Sequence, residues 1–426
     1  MTFLLLAVLP TLLLLMGVPI FAVLVAATLG GIMLGSNPIQ AIHSAMFGSL
    51  DIFPLLAVPL FIYAGDIMSR GGIARRLIEL ILSIVGGVRG SLGLATIAAC
   101  EVFGVMSGSS VACVAAIGKL TIPSLKKNGY GETFSVSLVT ATGVIDVIIP
   151  PSIPMIIYGI AAQQSVPQLF LAGFVPGILI GLALAIYVYF YARAKNIPVT
   201  ARPPRGALTA SLKDSIWAIF APVVILGGIY GGLFTPTEAA GVACIYAIVI
   251  SMFVYREISW KDLWTITVDS AMLSAQVLII VSAAGAFAWL ITTSGYPAQL
   301  IAFVDSLHLQ TWMLLLVINI ILLFVGSILE PPAAILLLTP LLTPLAYAAG
   351  VHPIHFGIIV TVNLAIGMFM PPFGLNLFAA NALFKTPLPS LYRGVMPFLF
   401  IYLAMLALLT YVPAITLAPL ALFNFK

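Results

Sequence analysis

The chain has 426 residues, of which 62% are hydrophobic and only 7% are charged. A soluble globular protein carries about 25% charged residues, so this composition excludes a soluble fold and indicates a protein with many membrane spans. The formal net charge of +4 is small, and nothing in the sequence points to nucleic acid as a partner. The apolar runs are continuous rather than alternating, which favours transmembrane helices over a β-barrel.

Long apolar segments follow one another along the whole chain. The first, residues 3–35, has no basic region or cleavage site before it, so we expect an uncleaved transmembrane segment that bends at 16–20, MGVPI. The later segments cover 52–68, 77–100, 103–124, 133–163, 168–192, 215–234, 236–255, 265–293, 311–348, 354–384 and 394–424. Several exceed the roughly 20 residues of one span and contain Pro or Gly, which predicts hairpins or broken helices.

The longest polar interruption covers residues 192–214. Its charged residues are Arg193, Lys195, Arg202, Arg205 and Lys213, against Asp214 alone. Basic loops next to membrane helices stay in the cytoplasm, so we expect a cytoplasmic loop here. The loop divides the chain into a first half, 1–191, and a second half, 215–426.

Four landmarks of the first half recur in the second half, 218 to 221 residues later: Pro123 and Pro344, Gly129 and Gly350, Pro150-Pro151 and Pro371-Pro372, and the Gly-Ser pairs at 108–109 and 326–327. This constant separation predicts an internal repeat. The basic pair Lys126-Lys127 corresponds to uncharged residues in the second half, as does the basic cluster at 70–76. Matching loops of unequal charge predict two repeats of inverted topology, a feature of secondary transporters.

Each half is predicted to contain one re-entrant helical hairpin and one discontinuous helix. The hairpins are expected near 101–124 and 315–348, and the broken helices near 133–163 and 354–384. Proline costs about 3 kcal/mol inside a helix and removes a hydrogen bond, so a Pro-Pro pair predicts a break that faces protein or a polar cavity. Freed carbonyls and serine hydroxyls suit Na⁺, and half-helix N-termini suit anions. A proline kink with serine bonded back to its own helix is the structural alternative.

Three carboxylates lie within apolar runs, where a charge costs about 2.5–3.5 kcal/mol or more. Glu330 and Asp146 lie close to the proline breaks, where a carboxylate can bind a cation, take a proton or bond a half-helix N-terminus. The alternative is a structural carboxylate satisfied by backbone N–H groups. We favour a functional role for Glu330 and a structural role for Glu101, and both interpretations stay open for Asp146.

Other chemistry is not supported by the sequence. His352 and His355 have no further ligand candidate close by, so no transition-metal site is expected. The chain has no GxxxxGK[ST] loop for ATP and no GxGD-like stretch of an intramembrane protease. Three cysteines in apolar context, Cys100, Cys113 and Cys244, are expected to pack as small residues. We therefore expect a transporter without a cofactor rather than an enzyme.

Seven blocks of the sequence together resemble one family: 54–78, 106–130, 148–159, 169–181, 234–247, 341–357 and 363–381. The most telling are LLTPLAYAAGVHPIHFG and NLAIGMFMPPFGLNLFAAN. The family is the large membrane (DctM-like) subunit of tripartite ATP-independent periplasmic (TRAP) transporters, and the resemblance runs nearly end to end. It implies an all-α, polytopic, elevator-type permease of the bacterial inner membrane that takes up an organic anion, commonly a carboxylate, with Na⁺ as the coupling ion.

The resemblance also implies partners and site residues. The partners are a small four-helix membrane subunit (DctQ-like) and a periplasmic substrate-binding protein (DctP-like); a stand-alone ion-coupled carrier or antiporter is the alternative. The Na⁺ candidates are Ser107, Gly108, Ser109, Ser110, Gly143, Pro150, Gly326, Glu330, Gly367 and Pro371. The substrate candidates are Asp146, Pro151, Ser152, Pro372, Gly374 and Asn376. Many family members carry Gly-x-x-Gly before the first Pro-Pro, whereas this chain has Gly143-Val-Ile-Asp146.

Overall fold

The computed structural model describes residue 10 and residues 12–14, 16–34, 38–85, 87–199 and 205–422. These residues form helices joined by short connections, with no strand among them, so the predicted all-α fold is confirmed. Arg202 and the start of the first apolar run, residues 3–9, lie outside the described residues. The bend expected at 16–20 is present, because Gly17 has a φ of 80° and a new helix begins at Ile20.

The helices of the first half are α1 (Ile20–Leu34), α2 (Gln40–Gly48), α3 (Ala57–Arg70), α4 (Ile73–Ile84), α5 (Ser91–Ser107), α6 (Ser110–Lys127), α7 (Glu132–Thr142), α8 (Ile153–Ala161) and α9 (Val166–Ala194). Short 3₁₀ helices cover Phe53–Leu56 and Gly143–Val147. The second half has α10 (Arg205–Asp214), α11 (Ile216–Tyr230), α12 (Pro236–Val249), α13 (Trp260–Thr293), α14 (Tyr296–Ser306), α15 (Thr311–Ile328), α16 (Pro331–Ala348), α17 (Pro353–Gly367), α18 (Leu375–Phe384), α19 (Leu388–Tyr411) and α20 (Ala414–Leu422). A π-helical turn, Ile250–Val254, extends α12.

The same unit occurs once in each half. Helices α5, α7, α8 and α9 begin at residues 91, 132, 153 and 166, and α15, α17, α18 and α19 begin at 311, 353, 375 and 388, which is 220 to 222 residues later. Each unit is a helical hairpin, then a discontinuous helix, then a long helix. The opposite orientation of the two units in a membrane stays a prediction.

Two details of the predicted parse are wrong. The first hairpin begins at Ser91 rather than near 101, because Gly87 and Gly90, with φ of 78° and 80°, end the run that the sequence suggested as one segment at 77–100. Gly326 does not correspond to Gly108: it lies inside α15, whereas Gly108 is the residue that ends α5. The true counterpart of Gly326 is Gly104, and the second hairpin turns at Leu329–Glu330.

Reciprocal contacts interlock the two units. The second hairpin arm of the first unit, α6, packs against α18 of the second unit, and the corresponding arm α16 packs against α8. In the same way α7 packs against α19, and α17 against α9. Each contact therefore has a counterpart with the two units exchanged, so neither discontinuous helix is enclosed by its own unit alone.

The remaining helices gather around α13, which is 34 residues long. It packs along α1, α2 and α3, and it also touches the second hairpin through α16. Within the described residues, seven helices are long and apolar enough to cross a membrane, or eight when the bent pair formed by Leu208–Asp214 and Ile216–Tyr230 is taken as one span. The chain is therefore an integral membrane protein with two groups of helices, the interlocked units and the group around α13.

A cluster of charges fixes α4 against the segments that enter and leave the second half. Arg76 Nη1 donates to Glu257 Oε1 at 2.6 Å, and its Nε lies 3.0 Å from Asp214 Oδ2. The guanidinium also stacks over the Tyr255 ring, 3.7 Å from the centroid. Arg75 bonds the same Glu257 at 2.7 Å, but its side chain is 49% exposed against 11% for Arg76. Because water screens exposed ion pairs, we assign most of the stabilisation to Arg76.

Replacing Arg76 with Ala should lower the apparent melting temperature of the detergent-solubilised protein by several degrees. The change removes two charged hydrogen bonds and a ring contact, each charged bond being worth about 1.5–3 kcal/mol when water is largely excluded. The matched variant Arg75→Ala loses an exposed pair worth about 0–1 kcal/mol and should change little. Equal losses for the two variants, measured by intrinsic fluorescence during heating, would contradict the assignment.

Candidate functional site

The tip of the first hairpin is bonded to the first discontinuous helix. Gly108 ends α5 with a φ of 61°, and Ser109 in extended conformation begins α6. The Gly108 N–H donates to Asp146 Oδ1 at 3.1 Å, and the Ser109 N–H donates to Ser107 Oγ at 3.3 Å. Glycine is suited to Gly108 because residues with a side chain rarely adopt positive φ. The MSGSS stretch thus forms a tight turn whose N–H groups are held by the break.

Asp146 lies completely inside the protein. A side chain on Gly104 of α5 would lie 2.8 Å from Asp146 Cα and 3.2 Å from Oδ1, so the carboxylate fits only because position 104 is glycine. Its second oxygen, Oδ2, makes no hydrogen bond of standard geometry to any described group, although the Ser107 hydroxyl and the Ser109 N–H lie close to the carboxylate. The structure therefore places Asp146 at the hairpin tip, beside Ser107 and Gly108.

The Pro-Pro pairs leave helix carbonyls without their usual donors. In a regular helix the N–H groups of residues 150 and 151 would bond the carbonyls of Asp146 and Val147, but proline has no N–H. The Ser152 hydroxyl donates to the Val147 carbonyl instead, and Ser152 also caps α8 by accepting from Met155 N at 3.4 Å. In the part of the chain that the structure describes, no backbone N–H replaces the lost donor at the Asp146 carbonyl.

The second break repairs the corresponding carbonyls differently. Met370 N donates to the Gly367 carbonyl at 3.1 Å, and Asn376 N donates to the Met368 carbonyl at 2.8 Å. Both donors are backbone groups of the loop and of α18. The two breaks therefore share their proline pairs, both with a cis bond between the prolines, but differ in which oxygens stay available.

The second hairpin touches its own break through backbone alone. A side chain on Gly367 would overlap the carbonyl group of Gly326, and one on Gly326 would lie 3.0 Å from Leu364 Cα. Four residues beyond Gly326, Glu330 precedes α16, is exposed and forms no ion pair among the described residues. The glycine candidates of this hairpin thus serve close packing, and Glu330 is left free at the tip.

A hydrogen bond joins the N-termini of two helices from different units. Ser110, the first residue of α6, donates from Oγ to Asn376 Oδ1 at 3.0 Å, and Asn376 is the second residue of α18. The Asn376 amide also donates to the Thr140 carbonyl at 3.4 Å. Residues predicted in two separate groups, Ser110 as an ion ligand and Asn376 as a substrate ligand, are therefore in direct contact.

The other predicted residues divide by exposure. Gly143, Pro150, Pro151, Ser152 and Gly374 are buried, Pro371 is half-buried, and Pro372 and Ser109 are exposed. A side chain on Gly143 would overlap Val114, and one on Gly374 would lie 2.7 Å from the Met368 carbonyl, so both glycines are needed for packing. The first break is closed off in this conformation, whereas the second is open on the side of Pro372.

The sequence analysis did not identify a buried polar chain in the second unit. Asn363 donates to Asn319 at 2.8 Å, Asn319 to Thr410 Oγ1 at 3.1 Å, and His355 pairs with the Thr410 carbonyl at 3.2 Å and with Thr416 at 2.8 Å. Its members lie singly on α15, α17, α19 and the turn into α20, so no local motif reveals them. Polar residues within apolar runs were the available signal.

No group of three or more His, Cys, Asp or Glu side chains with metal-binding proximity occurs in the described ranges. His355 is engaged in the polar chain, and the three cysteines are free and buried. The expectation that the cysteines pack as small residues agrees with their burial. The chemistry that the site offers is that of oxygen ligands and helix N-termini.

Residues 6–415 match the family described as "Tripartite ATP-independent periplasmic transporter, DctM component". The chain is 41% identical over 382 residues to the C4-dicarboxylate TRAP transporter large permease protein DctM of Pseudomonas aeruginosa, covering 90% of each chain. It is 42% identical over 404 residues to the isethionate TRAP transporter permease protein DctMQ of Oleidesulfovibrio alaskensis, covering 94% of this chain and 64% of that one. Its fold is similar to the crystal structure of the Alcanivorax borkumensis YdaH transporter, with a TM-score of 0.65 and 14% identity over 95% of this chain and 98% of that chain.

Replacing Gly367 with Ala should destabilise the protein by about 1–3 kcal/mol, because the added methyl group overlaps backbone that cannot move aside as a side chain can. The matched variant is Gly241→Ala in α12, where the new Cβ meets nothing within 4 Å. That variant should be neutral or slightly stabilising, since alanine is the better helix former. Thermal unfolding in detergent measures both, and a tolerated Gly367→Ala would contradict the backbone contact.

Proposed function

We propose Na⁺-coupled uptake of an organic anion for this chain, which belongs to the DctM component family of tripartite ATP-independent periplasmic transporters. It is a large permease subunit of the bacterial inner membrane and a transporter rather than an enzyme. The family membership establishes transport. The coupling ion, the class of substrate and the partners of this particular chain are the proposal.

The observation that supports anion transport is the meeting of α6 and α18 at the Ser110–Asn376 bond. A helix N-terminus carries a partial positive charge and unpaired N–H groups, so two of them side by side favour an anion. Pro372 and Ser109, the neighbours of these termini, are exposed and leave the place accessible. We propose that the substrate anion binds here, between the first hairpin tip and the second break, with a carboxylate as its anionic group.

The names of the two relatives support an anion as the shared requirement. The Pseudomonas protein is named for C4-dicarboxylates and the Oleidesulfovibrio protein for isethionate, which is a sulfonate. Both substrate classes carry a negatively charged oxygen group that suits helix N-termini. We propose a carboxylate for this chain because its identity to the first protein extends over 90% of both chains.

Na⁺ coupling is supported by the oxygen atoms at the hairpin tips and breaks. Hydroxyl and carbonyl oxygens at broken helices coordinate Na⁺ in secondary transporters. The first tip offers Ser107 and Ser109 beside the carbonyl of Asp146, and the second offers Glu330 beside the break at Gly367. We propose one Na⁺ position at each tip.

The reciprocal packing supports an elevator mechanism. Because α6 with α18 and α16 with α8 tie each hairpin to the other unit's broken helix, the two units can move only together. We propose that they form the moving body and that the helices around α13 form the fixed one. Large permease subunits of this family work with a periplasmic binding protein and a small membrane subunit, and we propose a DctP-like and a DctQ-like chain as the partners here.

The proposed function is tested with proteoliposomes that contain this chain, its small subunit and its binding protein. Radiolabelled succinate and isethionate serve as probes. We expect accumulation of an anion only with an inward Na⁺ gradient and only with the binding protein present. Equal uptake from a K⁺ gradient would refute Na⁺ coupling, and equal uptake without the binding protein would favour a stand-alone carrier.

Glu330→Gln and Ser109→Ala should each raise the Na⁺ concentration for half-maximal uptake by about tenfold, the effect of losing about 1.4 kcal/mol of ligand interaction. Matched controls are Glu79→Gln, on the surface of α4, and Ser83→Ala, whose hydroxyl only bonds back to the Leu80 carbonyl. Both controls should keep the wild-type Na⁺ dependence. An unchanged Na⁺ curve in both site variants, at normal protein levels in the membrane, would remove these residues from the ion site.

A further inference from the structure

The two units differ in charge at one corresponding position. Gly104 and Gly326 occupy equivalent places on the first hairpin arms, and each faces the break of its own unit. The backbone that meets Gly326 is that of Gly367, whereas the backbone that meets Gly104 is that of Asp146. One unit thus has two glycines in contact, and the other has a glycine and a carboxylate.

The Asp146 carboxylate is only partly satisfied by the protein. It is 0% exposed, and Oδ1 accepts one hydrogen bond, from Gly108 N at 3.1 Å. Oδ2 is buried without a bond of standard geometry, and no ion pair reaches Asp146 in the described ranges. A buried carboxylate that lacks a positive partner is costly, so its place in the fold indicates a partner that the chain itself does not provide.

Further oxygens lie next to this carboxylate. The carbonyl of Asp146 has lost its helical donor to Pro150 and has no backbone replacement in the described part of the chain. The Ser107 hydroxyl lies close to the carboxylate, on the other side of the tip. Carboxylate, carbonyl and hydroxyl oxygens are the ligands that hard cations select.

We infer that Asp146 is a carboxylate ligand of the Na⁺ bound at the first hairpin tip, so that this ion is held by a formal negative charge. The inference rests on the proposed Na⁺ coupling and adds one ligand to it. The corresponding position in the second unit is Gly367, which supplies no charge. The two Na⁺ positions are therefore unequal, and the first binds its ion more tightly.

The test is binding of ²²Na⁺ to the purified full-length permease with its small subunit, without substrate. Asp146→Asn keeps the shape of the side chain, and Asp146→Gly places there the residue found at 367. Both should weaken the tighter class of Na⁺ binding by at least about tenfold, or abolish it. The matched control is Glu101→Gln, which removes a carboxylate of the same hairpin arm that faces Gly181 of α9, away from the tip. This variant should bind Na⁺ as the wild type does.

Wild-type affinity in both Asp146 variants would overturn the inference while leaving Na⁺ coupling intact. Absence of ²²Na⁺ binding by the wild-type protein would instead overturn the proposed coupling. Wild-type Na⁺ affinity combined with a lost pH dependence of uptake in Asp146→Asn would show that the carboxylate carries a proton, which also overturns the inference.

A second measurement needs no variant. Dicyclohexylcarbodiimide labels carboxyl groups in apolar surroundings, and mass spectrometry locates the labelled residue. Na⁺ should slow labelling of Asp146 in the wild-type protein, whereas choline of equal ionic strength should not. Glu101, in the same molecules, should be labelled at the same rate with either cation. Equal protection by Na⁺ and choline at Asp146 would refute direct coordination.

Discussion

The structure depends on the requirement that backbone polar groups away from water find partners within the protein. Two adjacent prolines break this requirement twice in each repeat, since each removes a donor to a carbonyl one turn earlier. The chain answers with a serine hydroxyl at Val147 and with loop N–H groups at Gly367 and Met368. Where no backbone donor answers, at Asp146, an oxygen stays available for a ligand. The transport chemistry thus follows from incomplete repair of a helix.

Close packing of backbone against backbone is the second constraint, and it governs where glycine occurs. Gly104, Gly326 and Gly367 lie where a hairpin arm meets a break, and Gly65 of α3 brings the first tip to the other group of helices, with Met106 O 3.0 Å from the position of an added Cβ. Such contacts allow two helices to approach without side chains between them. They also keep the tip at a fixed distance from the break, which an ion held by both elements requires.

Much of the fold could be predicted from the sequence because membrane spans and proline breaks leave strong local signals. The discontinuous helices were found from Pro150-Pro151 and Pro371-Pro372, and the repeat from their separation. The alignment at Gly326 failed because a Gly-Ser pair lies at the tip in one repeat and one turn before the tip in the other. The Ser110–Asn376 contact and the His355 chain could not be predicted, since both depend on packing between helices that are far apart in sequence.

The interlocked repeats have a consequence for biosynthesis. Ser110 and Asn376 are separated by 266 positions, so the partner of the first hairpin is translated long after the hairpin has entered the membrane. Helices α6 and α8 must wait there with their contact surfaces for α18 and α16 uncovered. The bond between Gly108 and Asp146, only 38 positions apart, is available from the beginning. It can hold the first hairpin in its final shape until the ribosome delivers the second half.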